Sequence, residues 1–182
     1  MTGRVLLPAL RYLTDRGRHG WINAVWPRSE NEGLFRSLAP EQEDEVLASM
    51  VICPNINHNA EQILKAIAAK SPEKVIDFFG KRLAHEKGLQ SSRGYDEVPY
   101  EFHDLRETLQ KIPEQLVAKV REWFASDNEL FAYRGGRMIA AVFPEPEDQL
   151  LKPLHELAGT GKLDDVEFVI EVLKNYHGQV VL

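Results

Sequence analysis

The sequence predicts an all-α protein, on three observations. The dipeptide Pro-Glu recurs at Pro40-Glu41, Pro72-Glu73, Pro113-Glu114 and Pro146-Glu147, at spacings of 32, 41 and 33 residues. The apolar residues between these marks return with the helical period rather than the strand period. No useful length of chain alternates apolar and polar residues as a half-buried strand would.

Each Pro-Glu reads as a helix start. Proline suits the first helical position, where its missing N–H would have no partner in any case. Glutamate in the first turn favours the positive end of the helix dipole. Ser71, just before Pro72, has the chemistry of an N-cap. The segments SPEKVIDFFGKRL and IPEQLVAKVREWF align, with Val75 on Leu116, Ile76 on Val117, Phe79 on Val120 and Leu83 on Phe124. In the second segment Leu116, Val117, Val120, Trp123 and Phe124 form one apolar face.

A second helix is expected in every interval. NAEQILKAIAAK follows the first start and YEFHDLRETLQK the second. ELFAYRGGRMIAAV follows the third, and LDDVEFVIEVLKNYHG the fourth, with Val166, Val169, Ile170, Leu173 and Tyr176 on a stripe and Gly178 as its stop. The longer interval carries an insertion near residues 88–99, where Gly, Ser and Pro mark a loop. Residues 1–39 are less regular and read as a cap segment. The helical pairs are then 40–71, 72–112, 113–145 and 146–182, within a single domain of residues 1–182. Units of this length, each unable to bury its apolar face alone, are the material of stacked solenoids.

With this repeat length and these paired amphipathic helices, residues 40–178 resemble the HEAT-like and armadillo-like helical repeats. The resemblance implies a right-handed α-solenoid of about four helix-turn-helix repeats. A compact helical bundle is the alternative. The Trp, Gly and Tyr pattern of tetratricopeptide repeats is missing, as is the ankyrin Thr-Pro-Leu-His.

The adjacent Gly135 and Gly136 raise a separate question, because glycines between arginines also suit a phosphate loop. That loop needs a preceding strand and a GxGxxG or Walker spacing, and neither is present. Ser126 and Glu129 make an S-x-x-E capping box that starts a helix before the glycines, and Pro144 closes it. On that helix Phe131, Gly135, Met138 and Val142 share a face, and Ala132, Gly136 and Ala140 form a small-residue ridge. Two mid-helix glycines cost about 2 kcal/mol against alanine, so a closely approaching neighbour is the expected reason for them.

Composition excludes some functions. The net charge of −6 argues against a general nucleic-acid binder. Residues 1–30 hold five basic and two acidic groups, whereas 144–182 hold three basic and eight acidic ones. A basic start and an acidic end leave self-association open. The lone cysteine, Cys53, permits no intramolecular disulfide and reads as a core residue. No apolar run is long enough to span a membrane, and no signal peptide is evident, so a cytoplasmic setting is expected.

Catalytic signatures are lacking. The six histidines include no H-E-x-x-H pair, and G-x-S-x-G is absent. Asp96, Glu97, Glu101, His103 and Asp104 lie close in sequence, as oxygen and imidazole metal ligands would, yet such clusters are more often acidic loops. No catalytic residue, metal ligand or cofactor is assigned. The expected function is therefore non-enzymatic binding of a protein partner on a face lined by the second helices. Tyr133, Arg134 and Arg137 are the candidate contacts, with Trp21 and Trp26 as aromatic anchors or as caps of the first core. One alternative is a nucleic-acid-binding solenoid using Lys65, Lys70, Lys74, Lys81, Arg82, Lys87 and Arg93, which lie in a segment of net +3. Another is an all-α enzyme built near His103. The apolar ending GQVVL is expected to tuck back, or to mark an array that continues in a partner or in a longer relative.

Overall fold

The computed structural model describes residues 3–18, 20–25, 31–89, 94–126 and 129–176. Within these it describes the side chains other than those of 3–6, 24–25, 31–32 and 129–131. All regular structure among the described residues is helical. The chain forms two compact units, Met1–Glu97 with His103–Leu105 and Val98–Phe102 with Arg106–Leu182.

The first unit contains α1 (Gly3–Thr14), α2 (Trp21–Val25), α3 (Asn31–Arg36), α4 (Pro40–Met50), α5 (His58–Ala68) and α6 (Pro72–Lys87). Helices α4 and α6 begin on the prolines the sequence marked. At α4 the Gln42 side chain accepts the Ala39 N–H at 2.9 Å, half of a capping box. Asn57, which sequence reading passed over, caps α5 by accepting the Ala60 N–H at 3.0 Å. Helix α4 packs on α1, α5 and α6, and α5 packs on α2, α3 and α6. Val46, Ile63, Leu64, Ile76 and Phe79 are wholly buried in this unit.

Ser71 does not cap α6. Its hydroxyl donates to Glu43 at 3.0 Å, because that buried carboxylate needs donors. Glu43 also holds Lys70 Nζ at 3.0 Å and Lys74 Nζ at 3.4 Å. The two lysines donate onward to the carbonyls of Leu38 and Pro40. This network fastens the start of α4 to the turn between α5 and α6. Burial works against the Lys74 charge, but its bonds to Asp44 and Glu43 outweigh that and raise its pKa.

The second unit contains α7 (Arg106–Leu109), α8 (Pro113–Phe124), α9 (Glu129–Val142), α10 (Asp148–Ala158), α11 (Leu163–Leu173) and a 3₁₀ turn, Lys174–Tyr176. Helix α8 starts on Pro113 as expected. The fourth start is displaced. The N–H groups of Leu150 and Leu151 both bond the Glu147 carbonyl, so Glu147 is the cap and α10 begins at Asp148, outside Pro146. Helix α9 packs on α8 and α11, and α10 packs on α8 and α11.

The helix expected over 100–111 shrinks to the single turn α7. The carboxylate of Glu61 accepts the N–H groups of Asp104 at 2.7 Å and Leu105 at 2.9 Å. Those donors are thereby taken from any helix, and residues 103–105 are held within the first unit. The expected capping box of Ser126 and Glu129 rests on residues outside the described ones. The Ser126 hydroxyl donates to the Trp123 carbonyl at 2.6 Å, at the end of α8. Gly178 lies outside the described residues.

Both glycines lie inside α9 and are buried. A Cβ on Gly135 would stand 2.9 Å from Val120 Cγ1 of α8. A Cβ on Gly136 would stand 2.5 Å from Asn175 Nδ2 and 3.4 Å from the Glu171 carbonyl of α11. Each glycine therefore lets α9 approach a different neighbour. The carbonyls that end α9 are covered too. Gln110 Nε2 donates to Val142 O at 3.0 Å, and the Tyr176 hydroxyl to Phe143 O at 2.6 Å. Burial pushes the Tyr176 hydroxyl pKa far up.

Candidate partner-binding surface

With its glycines turned to α8 and α11, α9 presents a different set of side chains to solvent. Tyr133 is 61% exposed, and the Arg134 guanidinium lies 5.0 Å from its ring centroid. One turn on, Arg137 is 7% exposed, with its guanidinium 3.4 Å over the ring of Tyr100. Tyr100 itself is 74% exposed. Cation–π stacking of this kind orders both partners. Arg137, expected as a partner contact, is instead roofed by a tyrosine from the preceding loop. Sequence reading missed Tyr100, because it placed that residue at the start of a helix over 100–111, where nothing local pointed to Arg137. The available clue was an aromatic residue beside an insertion marked by Gly, Ser and Pro.

The other expected contacts fall elsewhere. Trp21 is buried in the first unit, where α2 packs on α5, and so serves the core. Trp26 lies outside the described residues. The basic series is largely occupied. Arg82 is wholly buried, Lys70 and Lys74 serve Glu43, and Lys65 lies 3.7 Å from Asp104. Lys81 and Lys87 are exposed, and Arg93 lies outside the described residues.

Around His103 the acids have separate employments. The Asp96 and Glu97 carbonyls face Arg82, and Asp104 meets His58 Nδ1 at 3.1 Å. His103 and Glu101 are exposed. Among the described residues no group of three His, Cys, Asp or Glu is placed to hold a metal ion. Among them, too, no helix is long and apolar enough to cross a membrane.

Arg82 organises the first unit. Its Nε donates to Glu97 O at 2.9 Å and its Nη2 to Asp96 O at 2.5 Å. Its Nη1 reaches Cys53 O at 2.7 Å, Val51 O at 3.1 Å and Met50 O at 3.3 Å. The Tyr95 ring lies 4.6 Å from the guanidinium, and its hydroxyl donates to Val51 O at 2.5 Å. Two loops, 50–54 and 94–97, are thus knotted around one cation, which satisfies carbonyls that no helix pairs. Burial lowers the Arg82 pKa. Burial also raises the Cys53 thiol to about 11 and the Tyr95 phenol to about 12, each opposed in part by Arg82. Cys53 is thus an inert thiol.

In the second unit Asp165 is buried at the start of α11 and takes Arg121 Nε and Nη2, each at 2.7 Å, and the Thr160 hydroxyl at 2.8 Å. The Thr160 bond first, then Arg121, lowers its pKa. A cleft of about 290 Å³ lies between α8 and α10, floored by Val117, Ala118, Pro153 and Leu157. A shallower hollow of about 430 Å³ lies along α10, lined by Leu151, Lys152 and His155 among others.

Comparison with protein-family models, with curated proteins and with solved structures finds no match.

Proposed function

We propose that this chain is a non-enzymatic helical-repeat protein, its helix pairs stacked as an α-solenoid, that binds a protein partner. The partner-binding face consists of Tyr133 and Arg134 on α9 with Tyr100, which Arg137 holds from below. The observation that supports this reading is the pairing of two largely exposed tyrosines with two arginines. Tyrosine and arginine are the residues most enriched among binding hot spots. A tyrosine already stacked on a guanidinium loses little further freedom when a partner arrives.

Full-length protein carrying a tag is used to capture partners from its native lysate after nuclease treatment, and the partner is then bound in purified form. Tyr100→Ala with Tyr133→Ala is expected to weaken the complex at least about tenfold, while Lys81→Ala leaves it unchanged. Both tyrosines are exposed, so the double variant keeps its helix content. A partner that binds the double variant as tightly as the wild type refutes the assignment of the face. Capture that disappears with nuclease refutes the protein-binding reading.

A further inference from the structure

Helix α11 packs on α8, α9 and α10 and leaves part of its surface exposed. Its side toward α9 is marked by the Glu171 carbonyl and by Asn175, which a Cβ on Gly136 would meet. At about 100° per residue, Leu163, Val166, Ile170 and Leu173 gather on the opposite side. Leu163 is 70% and Ile170 50% exposed, and Val166 and Leu173 are half-buried. Exposed Asp164 and Glu167 lie around the rest of the helix, Glu171 is ion-paired with Lys174, and Lys162 is exposed just before the helix.

Helix α1 offers a complementary surface. It packs on α4 and buries Leu7 and Leu10. Pro8, Ala9 and Tyr12 are exposed, and the Arg16 guanidinium lies 3.7 Å over the Tyr12 ring. Arg11 and Arg18 are exposed beside them, Arg11 in an ion pair with Glu45. Residues 1–30 sum to +3 (five basic, two acidic) and residues 144–182 to −5 (three basic, eight acidic).

We propose that the apolar stripe of α11 docks on the surface formed by Pro8 and Tyr12 of α1 and by Arg16 in the turn after it, in a second copy of this chain. The apolar residues meet at the centre, and the arginines of α1 face the acids of α11. Charge decides between the possible pairings. Two α11 helices face to face would oppose Asp164 and Glu167 to their own copies. Two α1 helices would oppose their arginines. The contact of α11 on α1 alone brings opposite charges together. It joins two different surfaces, so a variant that lacks one of them can still pair with a variant that lacks the other.

The test is sedimentation of the full chain from about 5 to about 200 µM, the range in which a small interface associates. Average mass is expected to climb above the monomer with concentration, and to fall back in about 0.5 M salt. Ile170→Glu and Tyr12→Glu alter exposed positions, and each is expected to be monomeric alone, with association weakened at least about tenfold. Mixed together they form a dimer that grows no further, because each supplies the surface the other lacks. Wild-type protein that stays monomeric throughout overturns the proposal. So do a mixture that stays monomeric, which denotes a symmetric contact, and an Ile170→Glu variant that loses thermal stability as a monomer, which denotes a stripe covered by its own chain.

Discussion

Replacing Gly135 with alanine sets two effects of known size against each other. Alanine gains about 1 kcal/mol over glycine inside a helix. Its methyl group would sit 2.9 Å from Val120 Cγ1, closer than real Cβ contacts come. Val120 is wholly buried on α8, and a β-branched side chain in a helix has one strongly preferred rotamer. Relief therefore requires α8 and α9 to separate, and overpacking of this kind costs about 1–3 kcal/mol. Gly135→Ala is expected to destabilise by about 1 kcal/mol net, as the midpoint of a urea titration followed by helix circular dichroism. Val120→Ala removes the obstructing methyl at a cost of about 2 kcal/mol. In that background Gly135→Ala is expected to stabilise by about 1 kcal/mol, a coupling of about 2 kcal/mol across the cycle. Gly136→Ala is the comparison. It meets the end of the Asn175 side chain, which can swing away at the expense of its bonds to the Glu171 and Val172 carbonyls, so its net effect is near zero. A Gly135→Ala variant that is more stable than wild type, with no coupling to Val120, would refute the account of close approach.

Other perturbations follow from the buried charges. Arg82→Met should destabilise the first unit by more than about 3 kcal/mol in the same titration, since five carbonyls lose the guanidinium, although Val51 O keeps the Tyr95 hydroxyl and Met50 O the Cys53 N–H. Arg82→Lys should recover only part of this, because an ammonium cannot span the fork of a guanidinium. Asp165 has a lowered pKa in the folded state, so its contribution is present above the ordinary carboxylate value of 3.8 and is lost as pH falls below it. Asp165→Asn should accordingly flatten the part of the acid-unfolding curve below about pH 4, with the rest of the curve parallel to wild type. Cys53, buried and with its pKa raised, should react with a thiol reagent at neutral pH only at the rate of opening, and at full rate in denaturant.

The features legible in the sequence were those carried by local chemistry. Proline at the first helical position declared α4, α6 and α8, because that preference belongs to the residue itself. The aligned faces of α6 and α8 were readable for the same reason, and Val75, Ile76, Phe79, Leu83, Leu116, Val117 and Val120 are all buried. So was the helical state of Gly135 and Gly136, since the phosphate loop they mimic requires a strand. What the sequence could not show were the partners of polar groups. Ser71 has the chemistry of a cap but spends its hydroxyl on Glu43. Residues 100–111 have a helical pattern but lose two N–H groups to Glu61, which is 43 residues from Asp104. Arg82 looked like one more surface cation until two loops closed around it, and Arg137 looked like a direct partner contact until Tyr100 covered it. Helix starts and apolar faces follow from residues a few places apart. The destination of a buried charge depends on groups that only the folded chain brings within 3 Å or so, and the tertiary structure alone decided it.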